Sequence, residues 1–329
     1  MLAVLRTAGV FHGDPFALLD IGCSGGIHPA FREFGNNLIA HGIDPVRDEC
    51  ERLQRAETLA GVKYHATFVG LPPTHEFMQR KARNSNGPNL NPWYRLSTGY
   101  ALTLSLPKTV NRNTVSRDNL ASEDSRIGVS EFVEREGLRN VDFLKIDVDG
   151  PDFEVLISAS DMLDKRNVLA VVIESNYFGS DNDTDHTFHN TDRFLRKNGF
   201  NLCGLTVRPY SHKDLPMPFA YGALGQTIQG PPLQGDAIYM RDLAADYRWE
   251  YANRLPTTKL AKLAAIYEIF QLPDCAAELI NVFRDRFSRL LRDPEDLLNA
   301  LTPPLRGRKV TYREYIATFE SNITQFIPY

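Results

Sequence analysis

Short apolar runs that end at a glycine or an acid recur along the first two thirds of the chain. Between them lie stretches with apolar residues every three or four positions. FALLDIG (residues 16–22), NLIAHGID (37–44) and VKYHATFVG (62–70) read as strands, and HPAFREFG (28–35) and PVRDECERLQRAETLAG (45–61) as helices. Pro45 suits a first helical turn, and Gly61 a C-terminal stop. After a long gap the alternation resumes with helix VSEFVEREG (129–137), strand VDFLKIDVDG (141–150), helix FEVLISASDML (153–163), strand VLAVVIES (168–175) and helix HNTDRFLRKNGF (189–200). FNLCGLTV (200–207) and GDAIYMRDL (235–243) supply two last strands. Strands alternating with helices predict a parallel sheet with right-handed crossovers, an α/β fold.

The gap, about residues 71–119, is rich in Pro, Asn and Gly and reads as an irregular insertion. Trp93, Tyr94 and Tyr100 suit either a lid over a substrate cleft or a surface insertion packed by its own rings. Beyond Leu243 the pattern is helical, and TTKLAKLAAIYEIFQL (257–272) and DCAAELINVFRDRFSRLL (274–291) have amphipathic spacing. The expected organisation is a sheet domain over residues 1–242 and a helical extension over 243–329, with faces suited to core packing or a homodimer.

Composition narrows the partners. The 329 residues, 43% hydrophobic and 24% charged, allow a large core. A net charge of −4 with no basic stripe argues against a nucleic-acid partner. No apolar run reaches the length of a membrane span, and the first residues carry no sustained signal-peptide core. Cys23, Cys50, Cys203 and Cys275 have no CxxC spacing, so neither a disulfide framework nor a cysteine zinc site is expected; a cytoplasmic protein is.

The first candidate chemistry lies in LLDIGCSGGI. A strand running through a glycine-rich turn into a helix suits a nucleotide-like cofactor, because absent Cβ atoms let the ligand approach the backbone. The run Asp20, Gly22, Ser24, Gly25, Gly26 departs from the GxGxxG spacing of dinucleotide sites, and a pyrophosphate sits badly beside Asp20. An ammonium and a sulfonium are welcome there, and S-adenosylmethionine carries both. Asp44, ending the second strand, is placed to accept from two ribose hydroxyls. The competing reading is that Asp20 and Asp44 cap the helices that follow them.

The second constellation is LKIDVDG. Asp147 and Asp149 end a central strand and face the same crevice, where they can hold a metal, orient a substrate hydroxyl or take its proton. Lys145, inside that apolar strand, needs a partner. Glu174 ends the next strand and is a further substrate contact. His186 and His189, three apart at a helix start, are either a general base pair or ordinary surface histidines.

In order along the chain, LLDIGCSGGI, GIDPVRDECERL, VDFLKIDVDGPDFEVLISA, VVIES and FLRKNGF resemble the FkbM-type S-adenosylmethionine-dependent methyltransferases, over roughly residues 16–242. The block from RPYSHKDLP to IYMRDL is similar to a bacterial subgroup associated with surface glycans, which carries a helical tail. The resemblance implies a class I, Rossmann-like sheet of seven strands with the last antiparallel, and O-methylation, often of sugars. It implies cofactor roles for Asp20, Gly22, Ser24, Gly26 and Asp44, and places Asp147 and Gly150 on the strand-end motif. Asp149 stands where that family more often has glutamate, and Pro151 where a small residue is commoner. The resemblance does not settle whether a divalent metal is used. Two other functions stay open at this level: a non-catalytic cofactor- or glycan-binding assembly factor, and an NAD-dependent oxidoreductase.

Overall fold

The computed structural model describes residues 1–84, 95–105, 119–122, 126–179, 181–245 and 248–327. In chain order its elements begin with α1 (Leu2–Thr7), β1 (Phe16–Ile21), a 3-10 segment (Pro29–Asn37), β2 (Leu38–Asp44), α2 (Arg47–Ala56), β3 (Val62–Ala66), α3 (Glu76–Asn84), α4 (Ser97–Ser105) and α5 (Val129–Arg135). There follow β4 (Phe143–Ile146), α6 (Asp152–Ser158), α7 (Ser160–Lys165), β5 (Ala170–Asn176), α8 (Phe188–Lys197), β6 (Asn201–Leu205), β7 (Arg208–Pro209) and β8 (Pro232–Met240). The tail holds α9 (Trp249–Arg254), α10 (Thr257–Ile269), α11 (Pro273–Val282), α12 (Arg284–Phe287), α13 (Glu295–Leu301) and α14 (Tyr312–Ser321).

The strands lie in the order β3-β2-β1-β4-β5-β8-β6. β2 with β3, β1 with β4 and β4 with β5 pair in parallel, while β8 runs antiparallel to both β5 and β6. This is the expected seven-stranded sheet with its last strand antiparallel, with the two-residue β7 added alongside β8. Strand succession reverses between β1 and β4. In an open α/β sheet that reversal opens a crevice beyond the carboxyl ends of the strands.

The chain divides into two compact units. The larger comprises Leu18–Gly26 and Ala40–Arg241. Its core joins Leu19, Ile43, Leu144 and Val171 of the sheet to Phe132 of α5, Leu156 of α6 and Leu195 of α8. Parallel strands covered on both faces carry continuous apolar runs, and β1 is buried along its whole length. After β8, buried Arg241 donates to the carbonyls of Leu163, Val168 and Asn198 and pairs with Asp164.

The smaller unit comprises Met1–Ala17, Ile27–Ile39 and Asp242–Tyr329. Phe16 stacks on Phe34 at 4.2 Å, and Phe11 meets Phe34 edge-on. Lys262 of α10 is fully buried, with its Nζ 2.6 Å from Asp14 Oδ1 and 2.9 Å from the Pro15 carbonyl. Thr258 donates to the other Asp14 oxygen at 2.6 Å. Burial works against ionisation of Asp14, but these partners outweigh it and hold its carboxyl below the usual range.

Several expectations change. The 28–35 stretch is a 3-10 segment that starts at Pro29 and is interrupted at Gly35, whose φ of +57° no helix accepts. Residues 71–119 are not irregular throughout: α3 buries Phe77 edge-on against Phe153, and α4 follows. Trp93 and Tyr94 lie outside the described residues, and the Tyr100 ring is exposed. Helix α10 is not amphipathic. It is buried on every side from Lys259 to Tyr267, and Lys262 is paired with Asp14 rather than solvated. The 274–291 stretch breaks at Phe283 into α11 and α12. Among the described residues, no helix is long and apolar enough to cross a membrane.

Gly22 sets how closely the strand ends approach. Its φ is +82°, and a Cβ there would stand 1.7 Å from the Asp147 carbonyl oxygen. The Asp147 N–H donates to the Ile21 carbonyl at 2.9 Å, so the two backbones are already locked together. Gly22→Ala is expected to lower unfolding free energy by about 3 kcal/mol or more in chemical denaturation. Gly25→Ala changes the same turn where an added Cβ meets nothing within 4 Å, and is expected to cost about 1 kcal/mol, from its positive φ alone.

Candidate functional site

β1 ends at Ile21, and residues 22–26 turn the chain off the sheet. The Gly22 and Cys23 N–H groups both donate to the Ile43 carbonyl, and Gly26 donates back to Cys23. Ser24 and Gly25 form the exposed tip. The Gly25 N–H donates to Glu49 Oε1 at 3.0 Å, while Arg52 clasps the same carboxylate. The Arg52 hydrogen bonds, then the Gly25 N–H, push Glu49 down to about 2. Asp44 is buried at the end of β2, and its Oδ1 accepts the Val46 N–H at 2.8 Å. Burial pushes its carboxyl up. Neither strand-end acid is a helix cap. α2 starts after Val46 with no side-chain cap, and the 3-10 segment after the turn is capped by His28.

Lys145 answers the question its sequence position raised. It stands opposite Asp20 in the β1–β4 ladder. Its Nζ lies 3.2 Å from Asp20 Oδ1, 3.1 Å from the Gly22 carbonyl and 3.5 Å from Asp147 Oδ2. Burial disfavours the ammonium, but Asp20 and Asp147 outweigh it and raise the Lys145 pKa. Asp20, only 3% exposed, is thus met by an ammonium from the protein itself. The negative charge open to a ligand shifts to the acids further along the row.

Those acids converge. One carboxylate oxygen from each of Asp147, Asp149 and Glu174 lies within 4.8 Å of the other two. Asp149 is exposed and sits at φ +55°, in the left-handed region that asparagine and aspartate tolerate best. Glu174 is buried at the end of β5. Its Oε1 takes Arg208 Nη1 at 2.5 Å and Gln234 at 3.2 Å, and Arg208 Nη2 reaches Asp236 at 2.6 Å. Burial first, then the Asp147 charge, push the Glu174 carboxyl up to about 7 against the pull of Arg208.

His186 and His189 have separate surroundings. His186 precedes α8, and its ring spans two backbone carbonyls: Nδ1 to Gly150 at 2.8 Å and Nε2 to Glu174 at 2.8 Å. A neutral ring donates to one of these; both are met only when both nitrogens carry protons. The fully buried Asp152 carboxylate stands 3.7 Å away. Asp152 also accepts from the Val148 and Gly150 N–H groups, so it holds the turn after β4 in shape. His189 is exposed on the first turn of α8, near the Thr187 hydroxyl.

The described flanks of the 71–119 stretch are fixed beside opposite ends of this row. Ala121 N–H donates to the Pro45 carbonyl and Asn119 accepts from Asp48, next to Asp44. Ser97 at the start of α4 pairs with Ser211 through backbone and hydroxyl, and Thr98 donates to the Gly225 carbonyl. Leu96, Phe178, Tyr210 and Leu233 pack together at that side.

A parallel sheet with this strand order, an antiparallel strand set into its far side and a glycine turn after its first strand is a class I methyltransferase fold. The sequence matches the methyltransferase FkbM domain over residues 35–202, just over half of the chain, and the chain belongs to that family. No curated protein matches it. Among solved structures it is similar to magnesium protoporphyrin IX methyltransferase from Synechocystis PCC 6803 with bound SAM, at 9% identity and TM-score 0.30 over 73% of this chain and 80% of that one. It is also similar to a protein of the NADB-Rossmann superfamily from Streptococcus agalactiae, at 13% identity and TM-score 0.31 over 84% and 95%. Likeness this low bears on neither substrate nor mechanism.

Sequence reasoning missed Arg208, Gln234, Asp152 and Glu49. Asp152 carried a signal, an acid just inside a helix start. Arg208 carried little: it sits in a two-residue strand with no periodicity to read. Lys145→Met is expected to lower stability by about 3 kcal/mol, because it removes the ammonium that the buried Asp20 carboxylate faces. Adding Asp20→Asn should recover most of that loss. Additive losses in the double-mutant cycle would show that the two side chains do not interact.

Proposed function

We propose that the chain transfers the methyl group of S-adenosylmethionine to a hydroxyl oxygen of a sugar, in a surface glycan or a related metabolite. One observation carries this reading. A glycine turn and the carboxylates of Asp44, Asp147, Asp149 and Glu174 occupy the carboxyl ends of four neighbouring parallel strands. The residues fit the cofactor chemically. The turn of Asp20, Gly22, Ser24 and Gly26 is closed on its sheet side by Gly22 and open at Gly25, where a ligand can approach the backbone. Asp44 keeps one oxygen in the Val46 turn and suits ribose hydroxyls with the other. When bound, the cofactor supplies a methyl already activated on a cationic sulfur.

The chain's own part is then to hold the acceptor and take its proton. A sugar hydroxyl is a weak acid, so transfer gains from a base whose pKa lies near the working pH. Glu174 meets that condition, and both of its protein partners bind the same oxygen, Oε1. Asp147 and Asp149 orient the hydroxyl beside it. His186 has a positioning role, tying the Gly150 turn to the end of β5, and His189 has no partner in the row. A second reading rests on the Asp147, Asp149 and Glu174 oxygens: a hard divalent cation held there polarises the same hydroxyl.

Asp147→Asn is expected to lower turnover by about 100-fold while calorimetry finds S-adenosylmethionine affinity little changed. Unchanged turnover removes Asp147 from the reaction. The wild-type rate is expected to climb with pH through about 7, as Glu174 loses its proton. In Glu174→Gln that limb should disappear from the kcat profile. A limb that survives the substitution assigns the base elsewhere, and its loss after chelator treatment favours the cation.

A further inference from the structure

A second cluster of ligand-type side chains lies outside the acidic row. His41 stands on β2 and His65 on the edge strand β3, with Ile43 opposite His65 in the ladder. The rings are nearly parallel, at 11°, and His41 Nδ1 is 2.9 Å from His65 Nε2. Phe132 of α5 meets both rings edge-on, which fixes their orientation. Glu136, at the carboxyl end of α5, completes the group. One ligand atom from each of the three lies within 4.8 Å of the others.

Two imidazole nitrogens this close share one hydrogen. One donates and the other offers its lone pair. His41 is 4% exposed, whereas His65 and Glu136 are half-buried. Two imidazoles and one carboxylate form a borderline donor set, suited to Zn²⁺ and its neighbours Co²⁺, Ni²⁺ and Cu²⁺ rather than to Mg²⁺ or Ca²⁺. The all-oxygen row of Asp147, Asp149 and Glu174 has the opposite preference.

We infer that His41, His65 and Glu136 form a site for one transition-metal ion of the zinc type, which clips β2, β3 and the end of α5 together and leaves a coordination position for water. On binding, the donating ring moves its proton to its far nitrogen, so both facing lone pairs reach the metal and no proton leaves the pair.

The test uses the full chain, stripped with chelator and titrated separately with Zn²⁺ and Co²⁺. One equivalent of Zn²⁺ should bind and raise the melting temperature, and Co²⁺ should give the intense visible bands of a low-coordinate site. His65→Gln and Glu136→Gln should each weaken Zn²⁺ binding by about 100-fold or more and abolish the melting shift. His189→Ala, which alters an exposed histidine, should leave both intact. Glu136 is partly exposed, so its variant stays informative if a histidine variant fails to fold. Absence of stoichiometric binding, or binding that survives both substitutions or is lost in Asp147→Asn instead, overturns the assignment.

Discussion

The ammonium of Lys145 lets two acidic strand ends lie side by side. Without it, Asp20 and Asp147 would face each other across a backbone contact so tight that only glycine fits at position 22. Bringing like charges into a poorly hydrated cleft is costly, and a lysine on β4, opposite Asp20 and two positions before Asp147, offsets that cost locally. Because the lysine also bonds the Gly22 carbonyl, one side chain fixes both the charge balance of the crevice and the start of the glycine turn. Arg208 does the same further along, between Glu174 and Asp236. The row of acids is therefore held by two cations with different consequences: Lys145 stays charged, while Glu174 is left poised near neutrality.

Much of the fold was legible because its parallel strands are buried on both faces and so read as uninterrupted apolar runs. The ends of those runs also marked the acids, since a strand-end carboxylate is conspicuous against Val, Ile and Leu. What escaped was whatever depended on distant partners. The lysines of α10 look like a solvated face until Asp14, far off in sequence, is placed beside Lys262. His186 looked like half of a histidine pair, but its ring is claimed by two carbonyls that only the folded chain brings together. The 28–35 stretch had helical spacing, yet Pro29 and the positive φ of Gly35 tighten and break it.

The charge argument that first favoured a cationic cofactor also changes character. It began with Asp20 as an unmet negative charge at the mouth of the turn. With Lys145 beside it, Asp20 becomes part of the scaffold, and Asp44, Asp147, Asp149 and Glu174 carry the electrostatics toward any ligand. Family membership and strand order lead to the same class without that argument.

The smaller unit is drawn from three separated stretches of chain, Met1–Ala17, Ile27–Ile39 and Asp242–Tyr329. During synthesis, Asp14 is made well before its partner Lys262. The first helix and the aromatic stack around Phe34 must therefore stay incompletely packed until Lys262 of α10, 248 positions beyond Asp14, has been made. Closure of that unit is a late, long-range event in the life of each new chain, and a prematurely terminated chain would keep the early segments while lacking the helices that bury them.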